Sequence, residues 1–367
     1  MKDLVIPLSY TPIPSEALLT VLQSYSNRNH NDLVTDFEKR ICEVTGTKYA
    51  VALNSGTAAI HLGLKALDVH TDDIVLVSTF TYVASVNPIR YLGAIPFFID
   101  SCGDDWNMDP VLLEEAIEQC IHSGKKPKVI LVVHTYGMPA KMKEIKRIAG
   151  QYHIPILEDA AEAIGSKYQG QHVGTLAEIG IFSFNNNKLL TTYGGGALVT
   201  NNQEVVAKVN SWAGQSRDNL PFYEHREIGF NYKMSPLNAA AGLAQIESLS
   251  DKIAERRKIF QTYQKQLNEK VGWQVEVSSV FSNRWITAVK LPHGVKVSDV
   301  QNKLAAKGIE TRPVWKPMHL QPVFREFQSR INGCSERLFE TGICLPFGSL
   351  KPDELNGICA LIKSVFN

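Results

Sequence analysis

No apolar run in this chain of 367 residues approaches the ~18 residues that a bilayer-spanning helix needs, so no membrane-embedded helix is expected. The opening stretch Met1–Pro7 is too short in apolar residues for a secretory signal. A charge excess is also missing. Lys plus Arg number 38 against 37 Asp plus Glu, a net charge of +1. That balance excludes a strongly basic nucleic-acid binder relying on phosphate neutralisation, yet leaves room for a small anionic ligand in a local site. The six cysteines (Cys42, Cys102, Cys120, Cys334, Cys344, Cys359) form no CxxC pair and no metal-like cluster. No metal site is expected, and a reduced cytoplasmic setting is. Repeats, low-complexity tracts and Pro/Gly/Ser linkers are absent as well. What remains is an ordinary globular composition, 44% hydrophobic and 20% charged, long enough for about two domains.

The runs Tyr49–Leu53, Ile74–Val77, Ile95–Ile99, Val129–Val133, Ile154–Leu157, Ile179–Phe184 and Ala197–Thr200 are short, apolar and rich in β-branched residues. Helical patterns separate them. Continuous apolar strands alternating with helices imply a mainly parallel sheet covered on both faces. From Ala244 to about Leu267 the pattern is helical, with Ile246, Leu249, Ile253, Ile259 and Phe260 as its apolar stripe. A strand near Trp285–Leu291, a helix near Val297–Lys307 and an amphipathic C-terminal helix follow. The change in rhythm predicts a large α/β domain over 1–250 and a smaller α+β domain over 251–367.

Three segments carry chemistry. Asn54-Ser55-Gly56-Thr57-Ala58-Ala59 follows a strand and opens a helix, so its amides, hydroxyls and positive dipole end suit a phosphate. An ordinary N-cap is the plainer alternative. Ile154–Glu162 is a buried strand ending in acids, where a carboxylate needs a cation or donors to offset desolvation. Asp159 could equally cap the next helix. In Phe182–Gly196 a strand runs into Lys188, then a triple glycine, whose entropic cost calls for a tight turn or a close approach. A desolvated Lys188 could form a Schiff base, although an ordinary surface lysine is the alternative. Phosphate cup, strand-end acid and a lysine 29 residues after Asp159 form the set that pyridoxal phosphate requires.

With these segments in view the chain resembles the DegT/DnrJ/EryC1/StrS sugar aminotransferases, pyridoxal-phosphate enzymes of fold type I (aspartate aminotransferase-like). The resemblance covers nearly the whole chain. It rests on Asn54–Leu62, Thr79–Ser85, Glu158–Glu162, Phe182-Ser183-Phe184 with Lys188, Gly229–Ser235 and Arg312–His319. It implies a large domain with a mainly parallel seven-stranded sheet. By position it makes Lys188 the Schiff-base lysine and proton carrier, and Asp159 the partner of the pyridinium nitrogen. Tyr82 would lie against the ring, with Phe80 the lesser candidate. Ser55, Gly56, Thr57 and Ser183 would hold the phosphate, completed by Asn231 from a partner subunit, which implies a homodimer. Glu162 stands where many members carry glutamine near the cofactor oxygen.

Lys141 departs from the family's usual aspartate, and Lys233 from a commoner arginine, with loss of bidentate geometry. Relatives with histidine at the position of Lys188 are dehydratases, so lysine favours transamination. The resemblance further implies glutamate as amino donor, a pyridoxamine phosphate form between half-reactions, and a nucleotide-linked keto-sugar as acceptor. Asn29, with Arg28 and His30 beside it, and Arg312, Lys316 and His319 are the expected substrate contacts. The segments Asn185–Thr192 and Trp315–His319 are most similar to enzymes acting at C4 of UDP-linked 4-keto-6-deoxy-N-acetylhexosamines. A dTDP- or GDP-linked keto-sugar, aminated at C3 or C4, is the alternative. An amino-acid transaminase using Arg312 for the substrate carboxylate also stays open, as does a non-catalytic regulator on the same fold.

Overall fold

The computed structural model describes residues 6–9, 11–27, 29 and 31–366. Its strands are β1 (Tyr49–Leu53), β2 (Ile74–Ser78), β3 (Ile95–Ile99), β4 (Val129–Val133), β5 (Ile156–Asp159), β6 (Lys167–Tyr168) and β7 (Gln171–His172). There follow β8 (Ile179–Ser183), β9 (Gly196–Thr200), β10 (Val280–Phe281), β11 (Thr287–Lys290), β12 (Arg312–Pro313), β13 (Ser329–Arg330) and β14 (Gly342–Leu345). The large sheet has the order β1-β9-β8-β5-β4-β2-β3-β13. In it β9 runs antiparallel to both neighbours, and every other pairing is parallel. All seven strands read from the sequence are present, and the two-residue β13 adds an eighth at one edge.

Alternate residues of these strands feed two apolar cores, one on each face of the sheet. Ile74, Leu76, Ile130 and Val132 enter one core, whereas Val75, Val77, Val129 and Leu131 enter the other. Burial on both faces is why the strands are apolar throughout rather than alternating. A third core joins the sheet β11-β14-β12 to helices Val297–Ala305 and Pro352–Lys363. The long helix Leu249–Leu267 gives Leu249 and Ile253 to the first core, and Ile259, Tyr263 and Leu267 to the third. Among the described residues no helix is long and apolar enough to cross a membrane.

Two elements differ from the sequence reading. The fifth strand begins at Ile156, after Pro155, and runs on through Glu158 to Asp159. Proline has no amide to give a sheet ladder; Pro155 contributes only its carbonyl, accepting from Ile130 N–H at 3.0 Å, and the paired residues begin at Ile156. The helix expected over Ala244–Leu267 is two helices, Pro236–Ile246 and Leu249–Leu267. Ser248 lies between them, its hydroxyl donating back to Gln245 O at 2.8 Å, a local bond that competes with helix continuation.

The topology decides where chemistry can sit. β5 ends at Asp159 and β8 at Ser183. The antiparallel β9 starts at Gly196 beside the ends of β1 and β8, paired with Leu53 and Ser183. All of these termini share the carboxyl edge of the parallel sheet, where open α/β sheets bind ligands.

Candidate active site

Ser55, in extended conformation, caps helix Gly56–Ala66: its Oγ accepts from Ala58 N–H at 3.0 Å. The amides of Gly56 and Thr57 have no acceptor within the helix and stand at its positive dipole end. Ser183 lies directly against this turn, and a Cβ added to Gly56 would sit 3.0 Å from Ser183 Cβ. Gly196 explains the last of the three glycines. A Cβ there would come within 2.5 Å of Gly56 N, so only glycine lets β9 pass beneath the cup.

Asp159 is 4% exposed at the end of β5. Ser85 Oγ–H donates to its Oδ2 at 2.7 Å and Ala161 N–H to its Oδ1 at 3.0 Å. Ser85 is itself hydrogen-bonded to Thr81 Oγ1 at 2.7 Å. Burial pushes the Asp159 carboxyl above its ordinary range, and the two donors, Lys188 and His134 offset only part of that rise. A protonated ring nitrogen beside it would restore the ionised form.

Lys188 Nζ donates to Glu162 Oε1 at 3.3 Å, with the lysine side chain 13% and that of the glutamate 6% exposed. Glu162 Oε2 accepts from Tyr136 N–H at 2.9 Å. Burial lifts the Glu162 carboxyl to about 7, against the opposing pull of Lys188. Tyr82 is 58% exposed, whereas Phe80 is fully buried against Tyr136 and Trp315. Tyr82 is thus the ring available to a ligand, and Phe80 belongs to the core.

The expected substrate contacts are placed less uniformly. Arg312 is exposed and paired with Glu310, Nη2 at 2.8 Å and Nε at 3.0 Å. Lys316 is half-buried. His319 Nδ1 lies 2.7 Å from Thr79 Oγ1 and its Nε2 3.0 Å from Glu336 Oε1, so both ring nitrogens are already engaged by the protein. Asn29 is exposed and turns the chain into helix Asn31–Thr45, its Oδ1 accepting from Asn31 N–H at 3.0 Å. Arg28 and His30 lie outside the described residues. Asn231 is exposed, and its carbonyl accepts from Asn54 Nδ2 at 3.1 Å beside the cup. Lys233 reaches Asn210 Oδ1 at 3.4 Å. Lys141 pairs with Asp104 at 3.1 Å, giving the acidic turn Asp104-Asp105 its counter-charge.

Ser85 and Tyr136 touch the site through Asp159 and Glu162, and the Trp285 ring lies beside Lys188 Nζ; sequence reasoning gave the three no role. Ser85 closes a segment singled out for its resemblance, so position could have found it. Tyr136 acts through its backbone amide, which no side-chain motif reveals. Trp285 reads from the sequence only as the start of a strand.

Helix-start donors, a buried strand-end carboxylate and a lysine, gathered on one sheet edge, fit a phosphorylated pyridine aldehyde. The comparisons agree. The model of the DegT/DnrJ/EryC1/StrS aminotransferase family matches residues 14–363. The chain is 43% identical over 342 residues to a putative pyridoxal phosphate-dependent aminotransferase, EpsN, of Bacillus subtilis, spanning 91% of this chain and 88% of that one. It is 36% identical over 369 residues to a GDP-perosamine synthase of Escherichia coli O157:H7, spanning 98% and 100%. A UDP-4-amino-4,6-dideoxy-N-acetyl-beta-L-altrosamine transaminase of Campylobacter jejuni is 35% identical over 238 residues, 64% and 62% of the two chains. Among solved structures, the putative sugar aminotransferase Spr1654 of Streptococcus pneumoniae, in PLP and PMP forms, superposes with TM-score 0.89 at 25% identity over 98% of both chains. With the family model spanning almost its full length, this chain belongs to the DegT/DnrJ/EryC1/StrS aminotransferase family and is a pyridoxal-phosphate-dependent aminotransferase.

Proposed function

We propose that the enzyme moves the amino group of L-glutamate onto the C4 keto group of a UDP-linked 4-keto-6-deoxy-N-acetylhexosamine. The product would feed bacterial glycan, capsule or lipopolysaccharide synthesis in the cytoplasm. The observation that carries the transaminase reading is Lys188, held 3.3 Å from Glu162 on the sheet edge that also bears Asp159 and the cup. When bound, pyridoxal phosphate supplies an electron sink for negative charge at the carbon that carries the amine. The protein does the rest. The amides of Gly56 and Thr57, with the hydroxyls of Ser55 and Ser183, bind the phosphate. Asp159, steadied by Ser85, keeps the ring nitrogen protonated. Lys188 attaches the cofactor and, once displaced, carries the proton between neighbouring carbons. Glu162 takes and returns the proton of the Lys188 amine. Tyr82 covers the ring, and Arg312 and Lys316 offer charge-assisted hydrogen bonds to a diphosphate. The chain divides near residue 250 into a cofactor-binding unit and a smaller one, and two copies pair so that Asn231 completes the phosphate site of its partner.

The choice of a UDP-linked C4 ketone is supported by the segments around Lys188 and Trp315, and by the relative named for a UDP-4-amino-4,6-dideoxy sugar. A GDP-linked sugar is the second reading, favoured by the full-length match to a GDP-perosamine synthase. Two experiments test these assignments. Purified protein with pyridoxal phosphate should show a visible band that glutamate discharges and that Lys188→Ala lacks. No band in the wild type would remove every role built on Lys188. Amination assays with UDP-, GDP- and dTDP-linked 4-keto and 3-keto sugars then choose the acceptor. Turnover of a 3-keto sugar alone would overturn the C4 assignment, and turnover of the GDP-sugar alone the nucleotide.

A further inference from the structure

Lys188 has a second neighbour that the chemistry above does not use. Trp285 is 3% exposed, and its ring lies with its centroid 4.0 Å from Lys188 Nζ. Its indole Nε1–H donates to the carbonyl of Asn187, the residue before Lys188, at 2.9 Å. That bond fixes the orientation of the ring, and Phe347 packs against it edge-on with centroids 6.1 Å apart. The same segment also grips the other side of the couple. Asn283 Oδ1 accepts from Trp285 N–H at 2.9 Å, while Asn283 Nδ2 donates to the carbonyl of Glu162 at 2.9 Å. Asn283 and Trp285, two residues apart, therefore fasten both the main chain of Glu162 and the side chain of Lys188.

We propose that Trp285 is a positioning residue for Lys188, its indole face and N–H holding the amine beside Glu162 and aimed at the reacting carbon. The proposal rests on Lys188 being the amine that attaches the cofactor. An unsupported lysine has a four-carbon stem, and ordering it costs side-chain entropy at every turnover. A π face attracts the ammonium through the ring quadrupole without accepting its proton. It can therefore hold the cation and still release the neutral amine, whereas a second carboxylate would compete for the proton. The indole N–H tethers the main chain next to Lys188, so one residue fixes both ends of the lysine.

Two variants separate positioning from mere packing. Trp285→Phe keeps a face and loses the N–H, while Trp285→Leu keeps apolar bulk and loses the face. Three readouts are taken: the rate at which apoprotein gains the visible band on adding pyridoxal phosphate, kcat against KM for glutamate, and Tm. For Trp285→Leu, band formation and kcat should both fall about tenfold with KM unchanged, within the range expected for a desolvated cation over an indole. Trp285→Phe should recover part of both. A lowered Tm with band formation and kcat near wild type would overturn the proposal and leave Trp285 a packing residue. Should Trp285→Leu fail to fold, wild-type band formation and kcat in Trp285→Phe would overturn it instead. Lys188→Ala, run in parallel, distinguishes the deeper failure: a band that survives there removes the assignment of Lys188 and this proposal together.

Discussion

Replacing Glu162 by glutamine should flatten the pH dependence of apoprotein stability between pH 4.5 and about 7. Burial lifts this carboxyl from 4.5 to about 7. An acid whose folded pKa lies above its unfolded one binds more protons in the native state throughout that window. Its contribution is therefore full below pH 4.5 and is lost as the pH rises through 7. At about 1.4 kcal/mol per pH unit the loss is about 3 kcal/mol. Glutamine keeps the shape and an oxygen for the Tyr136 amide, but does not titrate. Urea unfolding of both apoproteins from pH 4.5 to 8 measures the effect. The wild-type free energy of unfolding should drop by about 3 kcal/mol relative to the variant. Asp105, lifted by burial to about 6, adds slope of the same sign, and His172, lowered by burial to about 4, opposes it. Both act equally in the two proteins and cancel, so the difference reads Glu162 together with the Asp159 carboxyl that it repels. Parallel profiles would refute the reasoning.

Gly196→Ala places a methyl 2.5 Å from Gly56 N, so both Tm and cofactor affinity by equilibrium titration should fall. Ser85→Ala removes a 2.7 Å donor from the buried Asp159. A hydrogen bond to a charged group is worth roughly 1.5–3 kcal/mol, so cofactor affinity by fluorescence titration should drop at least tenfold. Asp100, fully buried after β3, accepts from the amides of Ser101, Asn332, Cys334 and Ser335 and ties the helix Cys334–Thr341 to the sheet. Asp100→Ala orphans those donors, and denaturation should show a loss of about 3 kcal/mol or more. Arg256 is 4% exposed; among the described residues its Nε and Nη1 find no acceptor and its Nη2 reaches only Thr11 Oγ1 at 3.4 Å, so Arg256→Met, similar in bulk, should raise Tm rather than lower it.

The strands, the cup, Asp159 and Lys188 were legible in the sequence because each is a local matter. A β-branched run needs only to be buried on both faces, and a Ser-Gly turn at a helix start offers the same donors in any context. Even the errors were local in origin: Pro155 delayed a strand, and the back-bonded hydroxyl of Ser248 divided a helix. Partners distant in the chain were another matter. Trp285 meets Asn187 across 98 residues, and His319 spends both ring nitrogens on Thr79, 240 residues away, and Glu336. Nothing near Trp285 marks it as the floor beneath a lysine, and nothing near His319 says its nitrogens are taken. Periodicity and local motifs thus determined the layers, the carboxyl edge, the cup, Asp159 and Lys188, whereas Tyr82, Glu162 and Asn231 came only from the family resemblance. Strand order and packing decided which side chains face them, because the reach of a side chain is a few ångströms of space, and that space is filled by segments far apart in sequence.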